Sequence, residues 1–493
     1  MIFEKKCKFQ LPEHKTLIPL LGVVIVFVVS RVLYDQAGIS FQGDTYLSYW
    51  QFIDPILLRT DLWRSVFYLH SQPPLTNLLT GIVLQVFPIG HEQVFHILYF
   101  LTGIVLAISI YLLGNSLGFP RWLSAIISAW FIVSPGTVLY EHWLAYAYPL
   151  TAALTFSSYC LYQFILTKKY YWGLIFFTLL SVIALTWSLF HIVWLLGIIA
   201  ILFIALSERK QMVLAAFLPV LLVTVWYTKN LLTVGEFTAS SWAGMNISKI
   251  ATFRMPEEDR MRRVKSGELS KFALLPPFRN PLVYLKLLPN TPLTGIPVLD
   301  QPETSSHGRN HHHLVYVEAS KYYMQDAIHM IRARPIDYLR SVNQAAYIYF
   351  HSPSDFDLIT GNRDILGAFD QWWNRFFYVQ WKSDETSIDR NSSMSVEHVG
   401  WWIVASFLIV AAGSIVFIWK NRRQIDKPEN MLVLFMAYNI FFVTAVGNLM
   451  DIGENNRFRF TVDPFILILL IFFLRNMLAL LAHRIQGKSL SLQ

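Results

Sequence analysis

The chain has 493 residues, of which 54% are hydrophobic, 15% aromatic and only 15% charged. Soluble domains carry about 25% charged residues, so this composition excludes an ordinary soluble protein. The formal charge of +8 does not indicate a nucleic-acid-binding protein, because Lys and Arg gather in short gaps between apolar runs and form no basic stripe on a long polar segment. We therefore expect an all-α, polytopic membrane protein that binds no nucleic acid.

Ten apolar runs are predicted to cross the bilayer as helices. They cover residues 17–34, 92–115, 121–139, 146–167, 170–187, 188–206, 211–231, 400–419, 430–449 and 461–482. Short cytoplasmic loops carry an excess of Lys and Arg, and ten spans starting from a cytoplasmic N-terminus place every basic cluster on that side. The clusters are Lys5, Lys6 and Lys8 in the N-terminal tail, Arg121, Lys168 and Lys169, Arg209 and Lys210, Lys420 to Arg423, and Arg484. Both termini are therefore expected in the cytoplasm.

The longest loops fall on the outer face. The apolar run 74–88 is short for a span, so residues 35–91 are interpreted as one outer loop with two juxtamembrane helices, at about 46–58 and 74–88. The polar segment 232–399 is long enough for a small domain. The predicted units are an N-terminal transmembrane module (1–235), an extracytoplasmic loop domain (236–399) and C-terminal transmembrane helices (400–493).

An acidic residue follows the first span directly, in the pair Gly43-Asp44. A charge beside lipid is costly and marks a candidate functional site, although a solvated aspartate in a turn is the alternative. A partly desolvated carboxylate is a stronger base and can take the proton of an attacking hydroxyl. We therefore predict Asp44 as a catalytic base, with His70 and Gln72, further along the same loop, as substrate-binding residues.

The last outer turn, 451–460, carries Glu454, Arg457 and Arg459 directly before the last span. Arginine presents a planar fork that matches phosphate oxygens, so these residues are predicted to bind a phosphate. Anchoring of the arginines to lipid headgroups is the alternative. Lys229, at the outer end of the seventh span, is a further candidate for the same headgroup, or a lysine that reaches out to the interface.

The turn after the third span places Glu141 and His142 among aromatic residues. Both are candidate substrate contacts, whereas the aromatic residues alone are typical of an interfacial belt. The run His311 to His313 lacks an accompanying carboxylate or cysteine pattern, so no metal site is predicted. No nucleotide-binding glycine motif stands out, and no cofactor is expected.

In these motifs the chain resembles the GT-C class of membrane glycosyltransferases, and most closely the glycosyltransferase 39 group, which includes protein O-mannosyltransferases and the lipid A aminoarabinose transferases. The resemblance rests on Gly43-Asp44, on the step Gln72-Pro73-Pro74-Leu75, on the outer turn after the third span and on the turn with two arginines before the last span. It covers roughly residues 15–235 and 430–480.

The resemblance implies a GT-C-like fold and an inverting transfer of a sugar from a polyprenyl-phosphate donor to an acceptor at the outer face. Asp44 matches the catalytic aspartate of the first loop in that class. Members with a second acid in this loop often carry an Asp-Glu pair, whereas Thr45 follows the aspartate here. The acceptor, whether lipid, glycan or protein, therefore stays open.

Three other functions are compatible with the sequence. An O-antigen ligase or polymerase would keep essential arginines in the large outer loop, where Arg332 and Arg334 are candidates. A multi-pass transporter would show inverted repeats, and a scaffold would bind a partner through residues 232–399. The low cysteine content favours a bacterial inner membrane, with the endoplasmic reticulum as the alternative.

Overall fold

The computed structural model describes residues 14–47, 49–379 and 399–489, so Lys5, Lys6 and Lys8 lie outside the described residues. Every regular element in those ranges is a helix, and extended pairing is limited to isolated bridges such as that between Gln42 and Trp143. Together with the apolar spans described below, this confirms the predicted all-α polytopic class.

Eleven helices form the N-terminal module and its first outer loop. They are α1 (His14–Gln36), α2 (Pro55–Thr60), α3 (Leu62–Tyr68), α4 (Leu75–Val86), α5 (His91–Ser116), α6 (Arg121–Val133), α7 (Pro135–Glu141), α8 (Ala147–Thr167), α9 (Tyr170–Ala184), α10 (Ile192–Ala205) and α11 (Arg209–Val234).

The large outer segment and the C-terminal part complete the described chain. The outer segment contains α12 (Ala243–Ala251), α13 (Glu257–Lys265), α14 (Pro281–Leu285), α15 (Pro297–Asp300), α16 (Val315–Ala333), α17 (Pro335–Tyr349) and α18 (Thr360–Trp373). The C-terminal part contains α19 (Trp401–Asn421), α20 (Pro428–Met450), α21 (Asn455–Phe460) and α22 (Asp463–Ser489).

All ten predicted spans contain apolar helix. Seven helices of the described residues are long and apolar enough to cross a membrane by themselves, namely α1, α5, α8, α11, α19, α20 and α22. The third predicted span is a pair, α6 and α7, bent by 61°, where Pro135 begins the second helix because proline is favoured at the first helical position. The fifth and sixth spans, α9 and α10, are shorter than predicted.

The break between α9 and α10 leaves residues 185–191 outside both helices. His191 ends this break by capping α10, and its Nδ1 accepts a hydrogen bond from the Val193 amide at 3.2 Å. Trp187 and Ser188 are thereby exposed to the outer cavity described below.

The first juxtamembrane helix lies elsewhere than predicted, whereas α4 confirms the second. Residues 49–54 form turns and bends instead of helix, and α2 begins only at Pro55. Asp54 caps α2 by accepting a hydrogen bond from the Ile56 amide at 2.9 Å, which is a strong helix-start signal. The non-helical stretch brings Trp50 and Gln51 to the same outer cavity.

The outer segment has apolar clusters of its own, one of which is built around Trp242, Phe272, Tyr316 and Tyr323. Its other apolar side chains join the main core of the membrane bundle, and these include Ile296, Val298, Leu299, Phe356, Ile359 and Leu366. The segment is therefore packed partly on itself and partly on the bundle.

Polar contacts, of which the two made by His312 are buried, tie the first outer loop to the outer segment. The Ser305 hydroxyl donates to Asp54 Oδ1 at 2.6 Å, His70 Nε2 lies 2.9 Å from the His312 carbonyl oxygen, and His312 Nε2 lies 2.8 Å from the Phe52 carbonyl oxygen. Buried polar groups of this kind are costly to separate. These contacts hold the two outer regions in one arrangement.

The predicted orientation can be tested by cysteine labelling. In a background with Cys7→Ser and Cys160→Ser, Leu293→Cys lies between α14 and α15 at a residue that is 87% exposed, and Arg423→Cys lies between α19 and α20. We expect a membrane-impermeant maleimide to label the Leu293→Cys variant in intact cells and the Arg423→Cys variant only after permeabilisation, because the basic loop is cytoplasmic. The reverse pattern would overturn the orientation.

Candidate functional site

A cavity of about 520 Å³ lies where the outer ends of α8, α11 and α20 meet the first loop, α12 and α21. Its polar lining includes Gln51, Gln72, Lys249, Asp451, Glu454 and Arg457. Cavities of about this size accommodate small-molecule ligands. Three residues predicted from the sequence, Gln72, Glu454 and Arg457, therefore meet at one site although they are far apart in the chain.

Arg457, in the short helix α21, is the most enclosed charge of this cavity and only 1% exposed. Its guanidinium carbon lies 5.1 Å from the Trp187 ring centroid and 5.4 Å from those of Tyr146 and Phe356. Aromatic faces attract cations. The enclosure therefore favours a charged guanidinium at the cavity wall.

Glu454 is the ionic partner of Arg457, and the Tyr49 hydroxyl also donates to its Oε1 at 3.3 Å. Burial lowers the pKa of Arg457, but the Glu454 carboxylate and the nearby tyrosines outweigh burial, and the net pKa lies above its ordinary value. Nε and Nη1 of Arg457 have no hydrogen-bond partner within the described ranges. Because unsatisfied buried donors are costly, the arrangement fits an anionic ligand.

A second ion pair lines the same cavity, between Lys249 in the last turn of α12 and Asp451 directly after α20, with Nζ 2.5 Å from Oδ1. Burial raises the pKa of Asp451, and Lys249 counteracts part of this rise.

The helix that carries Lys249, α12, packs tightly on α16 at Gly244, since a Cβ there would lie 1.9 Å from the Ser320 carbonyl oxygen. The sequence prediction missed the pair of Lys249 and Asp451, although Asp451 belongs to the outer turn that carries Glu454 and Arg457.

An aromatic wall formed by Trp50, Trp242 and Phe278 bounds part of the cavity. The ring centroids of Trp50 and Phe278 are 5.7 Å apart, and those of Trp242 and Phe278 are 5.3 Å apart. Phe278 has a φ of +62°, a conformation that is unusual for a bulky residue, and its carbonyl accepts a hydrogen bond from Arg309 at 3.0 Å. Strained backbone of this kind concentrates at functional sites.

Arg459 does not share the cavity with Arg457. It is fully buried, its Nε donates to Asp463 Oδ1 at 2.9 Å, and its Nη1 donates to the Tyr349 carbonyl. These contacts join α21 to α22 and α17, so the phosphate contact expected of Arg459 is replaced by a packing role.

Lys229 is likewise used inside the protein. Its Nζ donates to the Leu69 carbonyl at 2.7 Å and lies 3.6 Å from the Trp226 ring centroid. Its neighbour Tyr227 lines the cavity, whereas Lys229 is not among the lining residues. The lysine therefore fixes the middle of the first loop, directly after α3, against α11.

Glu141 and His142 lie below the cavity, inside the bundle. Glu141 is fully buried and accepts hydrogen bonds from Arg31 Nε at 3.0 Å and from the Tyr148 hydroxyl at 2.7 Å. His142 Nδ1 lies 2.8 Å from the Val138 carbonyl oxygen, and its ring faces His96. Glu141 therefore links α1, α7 and α8, and His142 packs against α5. Neither is among the residues that line the cavity.

His70 is also satisfied within the protein, since Nδ1 lies 2.7 Å from the Ser241 hydroxyl and Nε2 contacts the His312 carbonyl. Burial, together with the charge of His312, lowers the pKa of His70 to about 3. The ring is therefore neutral at physiological pH and holds the two outer regions together. His311 to His313 pack in the same interface, and the described part of the chain assembles no group of three or more metal ligands.

Asp44 packs beside the first turn of α5, where it contacts His91, and it does not line the cavity. Its side chain is 63% exposed, and its carboxylate pairs with His91 Nε2 at 2.6 Å. The Gly43 amide donates to Glu92 Oε1 at 2.8 Å, which fixes the loop on the first turn of α5. The Asp44 side chain is therefore exposed in the described structure, and not partly buried as the sequence prediction assumed.

No protein-family model and no curated protein sequence matches the chain. Among solved structures, the chain is similar to the oligosaccharyltransferase of Archaeoglobus fulgidus tethered with an acceptor peptide, at 12% identity and a TM-score of 0.40, over 95% of this chain and 50% of that one. It is also similar to ArnT of Cupriavidus metallidurans bound to undecaprenyl phosphate, at 14% identity and a TM-score of 0.33, over 90% and 78%. The chain thus spans about half the length of the oligosaccharyltransferase, and likenesses at these scores support no conclusion about its site.

The buried pair of Arg31 and Glu141 gives a stability prediction. Arg31→Met leaves the Glu141 carboxylate buried without its cation, and breaking such a pair costs about 3–5 kcal/mol. We expect a clear drop in the thermal midpoint of the purified chain in detergent, and a smaller drop when Glu141→Leu is added. The exposed pair of Lys168 and Glu208 is the matched control, since Lys168→Met is expected to cost less than about 1 kcal/mol. Equal effects at both pairs would contradict the structural role of Glu141.

Proposed function

We propose that the protein is a GT-C-type membrane glycosyltransferase that moves a sugar from a polyprenyl-phosphate donor to an acceptor hydroxyl at the outer face. The observation that carries this proposal is the buried guanidinium of Arg457, which lines a cavity at the outer ends of the spans with two N–H groups unpaired within the described residues. The proposed setting is a bacterial plasma membrane, with the cavity on its outer side.

The cavity has Arg457 in one part of its lining and exposed apolar side chains in another. Val193, which lines it, is 61% exposed at the start of α10, and Leu449 near the end of α20 is also exposed. On spanning helices such side chains face lipid. A lipid phosphate can therefore keep its long hydrocarbon tail in the bilayer while its phosphate group reaches Arg457. A polyprenyl phosphate requires this geometry.

In the proposed reaction the acceptor oxygen attacks the anomeric carbon of the sugar while the bond between this carbon and the phosphate oxygen breaks. The acceptor proton passes to a carboxylate, and the polyprenyl phosphate leaves with the electron pair. One displacement of this kind inverts the anomeric configuration. Arg457 stabilises the charge that grows on the leaving phosphate, and Gln72 and Glu454 complete the polar lining beside it.

Asp44 is the proposed base. This assignment comes from its position after the first span and from the family resemblance; the carboxylate itself is exposed and does not line the cavity. His91 holds the carboxylate in place. Two carboxylates in the cavity lining, Glu454 and Asp451, are already engaged by Arg457 and Lys249, which reduces their availability as bases.

The ligase alternative places essential arginines in the outer segment. Arg334 is there, but it is exposed and pairs with Asp337, outside the cavity that Arg457 lines. The geometry therefore favours Arg457 as the phosphate contact.

Loss of the guanidinium is expected to weaken lipid-phosphate binding. Arg457→Gln should lower the affinity of the purified chain for undecaprenyl phosphate by about tenfold or more, because hydrogen bonds to a charged group contribute about 1.5–3 kcal/mol. Displacement of a fluorescent polyprenyl phosphate measures this directly. Arg334→Gln is the matched control and should bind as the parent protein does; a loss in the control with none in Arg457→Gln would favour the ligase type.

Removal of the proposed base is expected to stop transfer without affecting binding. General base catalysis contributes about 100-fold or more, so Asp44→Asn should reduce sugar transfer in isolated membranes by at least this factor while undecaprenyl phosphate binds as before. Asp61→Asn, on the same loop between α2 and α3, is the control. Full activity in Asp44→Asn, with loss in Glu454→Gln, would move the base to Glu454.

A further inference from the structure

The ion pair of Lys249 and Asp451 has no task in phosphate binding as proposed for Arg457, although it lines the same cavity. Asp451 Oδ1 accepts from Lys249 and from the Ile452 amide at 2.7 Å. Both side chains are partly exposed to the cavity. The pair therefore offers ammonium donors and a carboxylate acceptor next to each other.

The aromatic wall lies beside this pair. The Lys249 ammonium is 6.0 Å from the Phe278 ring centroid, and Phe278 contacts both Trp50 and Trp242. Large aromatic faces bind apolar surfaces and also orient polar edges. A flat ligand with apolar C–H faces and a polar rim matches such a wall.

Two further polar atoms in the lining are buried and unpaired in the part of the chain that the structure describes. They are Gln72 Oε1 and Trp50 Nε1. An acceptor and a donor left unsatisfied in the lining of one cavity are costly unless a ligand completes them. A ligand with several hydroxyl groups, each both donor and acceptor, satisfies all four protein groups at once.

We propose that Lys249, Asp451, Gln72 and the wall of Trp50, Trp242 and Phe278 form a subsite for a neutral, polyhydroxylated ring. This proposal rests on the proposed function, and it assigns the sugar of the donor to the class of uncharged sugars. A carboxylate or amine on the ring would compete with one member of the ion pair and leave the other unpaired, which is costly in a partly buried site. Specificity for uncharged rings follows from this pairing.

The test compares four lipids on the purified full-length chain: undecaprenyl phosphate, and the same lipid bearing glucose, galacturonate or a 4-amino-pentose. Each displaces a fluorescent polyprenyl phosphate. We expect the glucose-bearing lipid to bind about tenfold more tightly than the bare phosphate, because two hydrogen bonds to charged groups suffice for this factor. The lipids that bear the two charged sugars should bind no more tightly than the bare phosphate.

The variants separate this subsite from the phosphate site. The double variant with Lys249→Met and Asp451→Asn removes both charges, so that neither is left buried without its partner. It should bind the glucose-bearing lipid no more tightly than bare undecaprenyl phosphate, and so lose the gain in affinity that we call the glucose increment. Its affinity for bare undecaprenyl phosphate should stay as in the parent protein. Lys321→Met, whose lysine pairs with Glu236 and Glu318 outside the cavity, is the matched control and should keep the increment.

A glucose increment that survives in the double variant, or a charged sugar that binds more tightly than glucose, would overturn the subsite. Equal binding of glucose-bearing and bare lipid to the parent protein would overturn it as well, while leaving the phosphate site intact. If the parent protein binds none of the four lipids, the proposed function itself fails, and the subsite fails with it.

Discussion

The guanidinium of Arg457 is buried among aromatic rings, and the neighbouring architecture serves to keep it charged there. Glu454 supplies a counter-charge from one side, and Trp187 and Tyr146 provide π faces on others. Two N–H groups stay unpaired in the described structure, so the guanidinium keeps donors that Glu454 does not use. Buried donors without an acceptor are costly, and this cost favours a ligand that accepts hydrogen bonds from Arg457.

The scaffold places this charge at one end of the apolar helices α8, α11 and α20. The break between α9 and α10 carries Trp187 to the cavity, and the turns before α2 carry Trp50 and Gln51 to its opposite wall. The first loop stays in place because His70 and Asp54 contact the outer segment. Residues from distant parts of the chain thus line one cavity, and the hydrogen bonds of His70 and Asp54 that hold them there lie outside the cavity.

Hydropathy predicted most of the spans, because an apolar run is a local property of the sequence; α9 and α10 are the two predicted spans whose helices are shorter. The site was harder to predict, since a buried charge and an exposed one look the same in a sequence. Arg457 and Arg459 illustrate this: they are two positions apart on a helix and so lie on different faces. One meets the cavity while the other joins α21 to α17 and α22, and helical spacing alone could have separated them.

Pairings over long distances could not be read from local patterns. Glu141 finds its cation in Arg31, more than a hundred residues earlier, and Lys249 finds Asp451 about two hundred residues later. Asp44 differs again, since its position after the first span was read correctly but its exposure was not. In each case the deciding quantity is burial, which depends on the packing of helices and not on the residue's neighbours in the chain.

The most direct test of this account is a cryo-electron microscopy map of the full-length protein in lipid nanodiscs with undecaprenyl phosphate. The account predicts phosphate density within hydrogen-bond distance of Arg457 Nε and Nη1, with the polyprenyl chain leaving the cavity past Val193 towards the bilayer. Phosphate density at Lys229 or Arg334, with Arg457 contacting Glu454 alone, would contradict it.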